Sequence, residues 1–234
     1  MAAASLTGAF EEIGGLFERQ HAGVRVVFNF AGSQQLAQQI AQGAPADVFA
    51  SANQAHMDAV IQSGQVQAGA VQTFASNRLV VIYPKENPAG ITALQDLATP
   101  GVKIVLAATE VPVGQYAIAF LDKAGQDPGF GHSFKADVVR NVVSYEDNVK
   151  AVLTKVSLNE ADAGIVYITD AASAPEDTIR QIEIPHAYNV IAHYPTTVIR
   201  ESKNPELARA FVDLLLSRQG QEILSSYGFG AASQ

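Results

Sequence analysis

Three times in its first fifty-odd residues the chain runs from small or apolar residues through a hydroxyl or small residue straight into a helical pattern. The junctions are Ala3-Ala4-Ser5-Leu6, Phe30-Ala31-Gly32-Ser33-Gln34 and Phe49-Ala50-Ser51-Ala52-Asn53. Where a strand ends at a helix start, the first N–H groups of the helix lack an intrahelical acceptor, and a serine adds a short hydroxyl donor. Such a junction is a small anion socket. Two more follow, at Val111-Pro112-Val113-Gly114 and at Tyr145-Glu146-Asp147-Asn148-Val149. One serine in such a place is most simply an N-cap, so the repetition is what points to a ligand.

The elements that must position these junctions read as alternating strands and helices. Residues 24–30 are apolar and β-rich, and 34–42 carry Leu36 and Ile40 on one helical face before Gly43. A short strand at 47–51 leads into a helix at 53–63 with Met57, Val60 and Ile61 in register and Gly64 as the stop. Beyond a strand at 79–83, strands at 103–107, 140–143 and 163–167 alternate with helices at 115–124 and 147–158. This pattern predicts an α/β architecture with largely parallel sheets. Residues 188–199 read as extended and interrupted by Pro195, and Asn204-Pro205 opens a helix carrying Ala208, Phe211, Val212 and Leu215. Residues 171–177 read as loop, and no repeat or low-complexity run stands out.

Composition narrows the partners. At 234 residues and 48% hydrophobic content the chain buries a full core and fits one large or two smaller domains. No apolar run approaches the ~20 residues of a membrane span. A net charge of −8 without a Lys/Arg cluster argues against nucleic acid. Zero cysteines exclude disulfides and thiolate chemistry. The opening Met1-Ala2-Ala3-Ala4-Ser5 has no basic or apolar leader, so the signal peptide of an exported protein would lie outside this numbering.

The chain resembles the periplasmic molybdate-binding proteins that feed ABC-type importers. The resemblance rests on Ala3-Ala4-Ser5-Leu6-Thr7, Phe30-Ala31-Gly32-Ser33, the ordered run Gly43-Ala44-Pro45-Ala46-Asp47-Val48-Phe49-Ala50-Ser51-Ala52, Val111-Pro112-Val113-Gly114-Gln115-Tyr116, Ala163-Gly164-Ile165-Val166-Tyr167 and Tyr227-Gly228-Phe229. It implies a type II periplasmic binding protein fold: two α/β lobes with mixed, largely parallel sheets, joined by two crossing strands, with the anion in the cleft between lobes. The first lobe would be discontinuous, 1–79 with 195–234, and the second would span 80–194. In that family a whole strand leads into the Ala-Ser-Leu segment, whereas four residues precede Ser5 here.

Carried over residue by residue, the resemblance places ligand contacts on Ser5, Ser33 and Ala52 in the first lobe. In the second it places them on the backbone N–H of Val149 and the hydroxyl of Tyr167, with Tyr116 as a further candidate. It implies molybdate or tungstate as ligand, no cofactor beyond that anion, a membrane-embedded ABC permease as partner, a monomer, and a periplasmic location. A fully ionised tetrahedral dianion carries only acceptors, so the matching socket offers N–H and O–H groups alone.

Blander readings stand beside these. Tyr167 ends an apolar strand and fits an ordinary half-buried tyrosine; Glu146 and Asp147 suit the N-terminus of the next helix, or would coordinate a metal oxyanion. His56, His132, His186 and His193 show no zinc spacing. A hydrolase using Ser5 or Ser33 is the rival from another class, but no Gly-x-Ser-x-Gly motif is present and no histidine is tied to either serine. An enzyme is therefore not expected. A sulfate-type carrier is the nearer alternative, because sulfate is also a fully ionised dianion.

Overall fold

The computed structural model describes residues 1–67 and 69–231. It divides into two compact units, Met1–Asn77 with Ala192–Gln234, and Arg78–Ile191.

Strand β1 (Ala2–Ala3) passes through a tight turn at Ala4–Leu6 into α1 (Thr7–Gln20), which buries Phe10, Ile13, Gly14 and Phe17 at helical spacing. Then come β2 (Phe30–Ala31), α2 (Ser33–Ala41), β3 (Val48–Ala50) and α3 (Gln54–Gln62). Helix α3 starts where Asn53 Oδ1 accepts the His56 N–H at 3.0 Å, a side-chain N-cap. The long strand β4 (Gln72–Pro84) carries the chain from one unit to the other. In the second unit β5 (Ile104–Ala107), α4 (Pro112–Ala124), α5 (Phe134–Arg140), β6 (Val142–Glu146) and α6 (Val149–Ser157) are followed by β7 (Ala163–Tyr167), α7 (Ile168–Ala172) and β8 (Ile179–Glu183). Strand β9 (Ile191–Val198) returns the chain, and α8 (Pro205–Leu216), α9 (Arg218–Ser226) and β10 (Gly230–Ala231) complete the first unit.

In the first unit β1 lies between β2 and β3, parallel to both, and β9 runs antiparallel along β3 with Phe49 opposite Thr197. Strand β10 pairs antiparallel with the start of β4. One face of this sheet is filled by Leu36, Ile40, Phe49, Met57 and Val60. An aromatic group joins Phe10 to Phe74 and Phe211, with ring centroids 5.7 and 6.0 Å away. In the second unit β5 is flanked by β6 and β7, both parallel to it, and the far half of β4 pairs antiparallel with β7 and β8.

Several sequence expectations are corrected. Residues 24–29 alternate in exposure but belong to no strand; pairing with β1 begins at Phe30 opposite Ala2. Beside them lies a groove of ≈ 750 Å³ lined in part by Phe10, Phe17, Val26, Phe28, Ala46 and Phe211. The strand expected at 140–143 starts at Val142, since Phe134 and Val138 form the buried face of α5, which ends at Arg140. Residues 171–177, read as loop, begin inside α7. Pro195 does not interrupt β9: its ring removes one donor, while its carbonyl still accepts the Ser51 N–H at 2.9 Å.

Candidate functional site

Three parallel strands of the first unit end at one edge of its sheet, and each runs into a turn or helix there. In α/β sheets the carboxyl ends of parallel strands are where ligands are held. After β1 stands Ser5; after β2, Ser33; after β3, Ser51 and Ala52. Ser5, Ser33 and Ala52 are all buried.

Ser33 is the first residue of α2 rather than its cap: Gly32 occupies the N-cap position, and no side chain caps this helix. The Ser33 Oγ instead accepts the Ala52 N–H at 3.0 Å, which ties the β2 junction to the β3 junction. That bond uses one acceptor site of the oxygen and leaves the hydroxyl proton available to a further acceptor. The Ser33 backbone N–H, in the first turn, has no intrahelical acceptor. Ser5 Oγ lies 3.0 Å from the hydroxyl of Tyr194 in β9, and Asn77 Nδ2 donates to that same hydroxyl at 3.4 Å.

The second unit repeats the arrangement at the ends of β5, β6 and β7. Val149 is the first residue of α6, behind an Asn148 cap whose Oδ1 accepts the Ala151 N–H at 3.0 Å. Its N–H therefore belongs to the first turn, where helices lack acceptors. Tyr167 closes β7 at the N-cap of α7, and the Tyr116 ring from α4 packs edge-on against it with centroids 6.4 Å apart. The two tyrosine candidates thus form one cluster. Burial pushes the Tyr116 phenol up to about 12, so at neutral pH it keeps its proton.

The carboxylates nearby have other partners. Glu146 Oε1 accepts from Lys155 Nζ and from Ser144 Oγ, each at 2.6 Å, and Asp147 is exposed. Asp170 is fully buried three residues after Tyr167, with Oδ1 3.0 Å from Lys150 Nζ, and that lysine also donates to Ser173 Oγ at 2.9 Å. Burial pushes the Asp170 carboxyl above its usual range, and the Lys150 ammonium pulls against that. The pair joins the residue after Val149 to the helix that follows Tyr167. Lys150→Met should destabilise the protein by roughly 3 kcal/mol, the lower end for breaking a buried pair because Lys150 is partly exposed; Asp170→Asn should cost less, having removed the buried charge itself. Denaturant unfolding of both variants checks the order.

Sequence reasoning passed over Tyr194, Asn77 and Asp170. The first two meet across 117 residues of chain, which no local pattern marks. Asp170 had a signal, an acid at the third helical position behind the residue at the N-cap. Among the described residues no group of three or more His, Cys, Asp and Glu could hold a metal ion.

Comparison with known proteins adds to this geometry. Residues 1–230 match the family of bacterial extracellular solute-binding proteins. The molybdate-binding protein ModA of Mycobacterium bovis is 39% identical over 228 residues, covering 97% of this chain and 82% of that protein. Among solved structures, the substrate-binding domain of a putative molybdenum ABC transporter from Clostridium difficile superimposes with a TM-score of 0.71 at 31% identity, covering 99% of this chain and 97% of that one. The sulfate-binding protein SubI of Mycobacterium tuberculosis gives a TM-score of 0.86 at 17% identity, covering 99% and 85%, a likeness of fold alone.

Proposed function

Since this chain belongs to the bacterial extracellular solute-binding protein family, with the type II periplasmic binding protein fold, we propose that it captures molybdate or tungstate and delivers it to a membrane-embedded ABC permease. The observation that carries the reading is the polarity of the junction groups. The Ser33 oxygen accepts from the Ala52 N–H, and its proton is left to donate to an anion. Ser33 and Val149 open helices at N–H-rich ends, and the Tyr116 phenol stays protonated at neutral pH. These are donors, suited to an ion that carries only acceptors.

The proposed contacts are Ser5 and Ser33 from the first unit, and Val149 and Tyr167 from the second, with Tyr116 beside Tyr167. Ala52 belongs to the set as a contact of the first unit, and its N–H also donates to the Ser33 oxygen. Hydrogen bonds to a charged group are worth ~1.5–3 kcal/mol each, so four or five gross about 10 kcal/mol. Micromolar to nanomolar binding requires about 8–12 kcal/mol, and dehydration offsets part of the gross figure. The set is sufficient without a cation in contact. Neither serine has a base behind it: Ser5 faces a tyrosine hydroxyl and Ser33 a backbone N–H, which supports a carrier over a hydrolase. The reading calls for a monomer in the periplasm and no cofactor.

Calorimetric titration with molybdate, tungstate, sulfate and phosphate tests it. Molybdate and tungstate should bind at one per chain, in the micromolar range or tighter, and sulfate far more weakly. Phosphate should be poor, because at neutral pH it keeps a proton that wants an acceptor. Sulfate affinity equal to that for molybdate would replace this reading with the sulfate-type one.

A further inference from the structure

We propose that Tyr194 is a positioning residue for the anion, orienting the hydroxyl of Ser5 so that Ser5 donates; this rests on the reading of Ser5 as a ligand contact. Tyr194 stands in β9, fully buried, and packs edge-on against Phe74 and Phe229 with centroids 6.2 and 5.5 Å away. That aromatic frame holds the ring, so its hydroxyl has a fixed place. Ser5 Oγ meets it there at 3.0 Å and the Asn77 amide nitrogen at 3.4 Å. Asn77 and Ser5 are buried as well, which shelters all three groups from competing water.

The direction of the chain of hydrogen bonds follows from what each atom can do. An amide nitrogen only donates, so the Tyr194 oxygen accepts from Asn77. In the proposed arrangement the single phenolic proton goes to Ser5 Oγ, 3.0 Å away. Ser5 accepts it and has one proton left, aimed at a third partner. Asn77 to Tyr194 to Ser5 to anion is thus a run of donors with one polarity, and each bond strengthens the next. Ser33 reaches the same state by a shorter route, through the Ala52 N–H. In the proposed arrangement a donor on one side of each serine oxygen leaves the hydroxyl proton for the anion.

This placement also ties the ligand serine to the segments where the chain changes unit. Asn77 is the last residue of the first segment of the first unit, and Tyr194 is the third residue of the returning segment.

The test is a double-mutant cycle in ligand affinity, run by calorimetry with whichever of molybdate, tungstate and sulfate binds the wild type most tightly. Tyr194→Phe keeps the ring and removes only the hydroxyl, and it should weaken binding by about five- to tenfold. Ser5→Ala should weaken it by tenfold or more. The double variant should bind no more weakly than Ser5→Ala, because the tyrosine acts only through that serine. Asn77→Leu removes the donor without adding a charge; it should weaken binding in the wild-type background and have little effect beside Tyr194→Phe. Melting temperatures of all variants, taken without anion, separate loss of fold from loss of orientation. Unchanged affinity in Tyr194→Phe, or losses that multiply in the double variant, would overturn the assignment. Coupling seen with sulfate in a protein that ignores molybdate would uphold it while removing the molybdate reading, and a wild type that binds none of the three anions would remove both.

Discussion

Replacing Ser33 with aspartate should abolish molybdate binding, a loss of at least about a thousandfold in affinity, while the protein stays folded. The fold should survive for two reasons. Gly32 is the N-cap of α2, so the substitution removes no cap, and an aspartate oxygen can still accept the Ala52 N–H. A negative charge in the first turn of a helix is also favoured by about 0.3–1 kcal/mol. Binding should fail because the same charge stands where the oxygens of the dianion belong. One hydrogen bond to a charged group, worth ~1.5–3 kcal/mol, becomes a repulsion of about 4 kcal/mol per unit of ligand charge at 4 Å and an effective dielectric of 20. Ser33→Ala loses only the first of these, roughly ten- to a hundredfold in affinity. Calorimetry and circular dichroism on both variants read the two effects separately. An aspartate variant that binds within tenfold of the wild type would show that Ser33 serves its neighbours and not the anion.

Gly114→Ala should lower stability by about 3 kcal/mol or more, with a fall in melting temperature of roughly 6–12 °C for a protein of this size. A Cβ at this position would stand 2.1 Å from the Ala108 carbonyl oxygen and 2.5 Å from that of Ala107. Both are backbone atoms at the end of β5, so no side chain can swing aside. Glycine here is what lets the first turn of α4 approach the strand it follows, and Pro112 at the first helical position sets the entry angle. Thermal unfolding followed by circular dichroism checks the loss. A variant as stable as the wild type would mean that α4 can shift at no cost, which the buried Phe120 and Leu121 on its inner face argue against.

The legible parts of the molecule are those whose cause lies within a few residues. The run from β3 into α3 was readable because Asn53 caps the helix and Met57 and Val60 recur at its spacing. Val149 was readable as a first-turn residue for the same kind of reason, an asparagine cap followed by Val152, Leu153 and Val156. Helix α5 was not, since its Val138-Val139 pair stands only two residues before the Val142-Val143 pair that opens β6, and so short an apolar spacing fits a strand as well as a helix. Residues 24–29 have the alternation of a strand, yet a ladder also needs a partner, and partners are a property of the fold. Within the candidate site, the residue types at the junctions could be read, but their orientation could not. What the Ser33 hydroxyl meets is the Ala52 N–H, 19 residues on, and what meets Ser5 is Tyr194, 189 residues on.

The first unit is assembled from both ends of the chain, and this governs when it can form. Its aromatic group needs Phe211 against Phe10 and Phe17, and β3 needs β9 along its open side. The second unit is one continuous stretch, Arg78–Ile191. As the chain emerges in order from its N-terminus, the second unit has every strand it pairs with as soon as Ile191 is out. The earlier-emerging Ser5 and Ser33 must wait, with Phe10 and Phe17 lacking their Phe211 contact, until α8 has emerged. The unit begun first is therefore finished last.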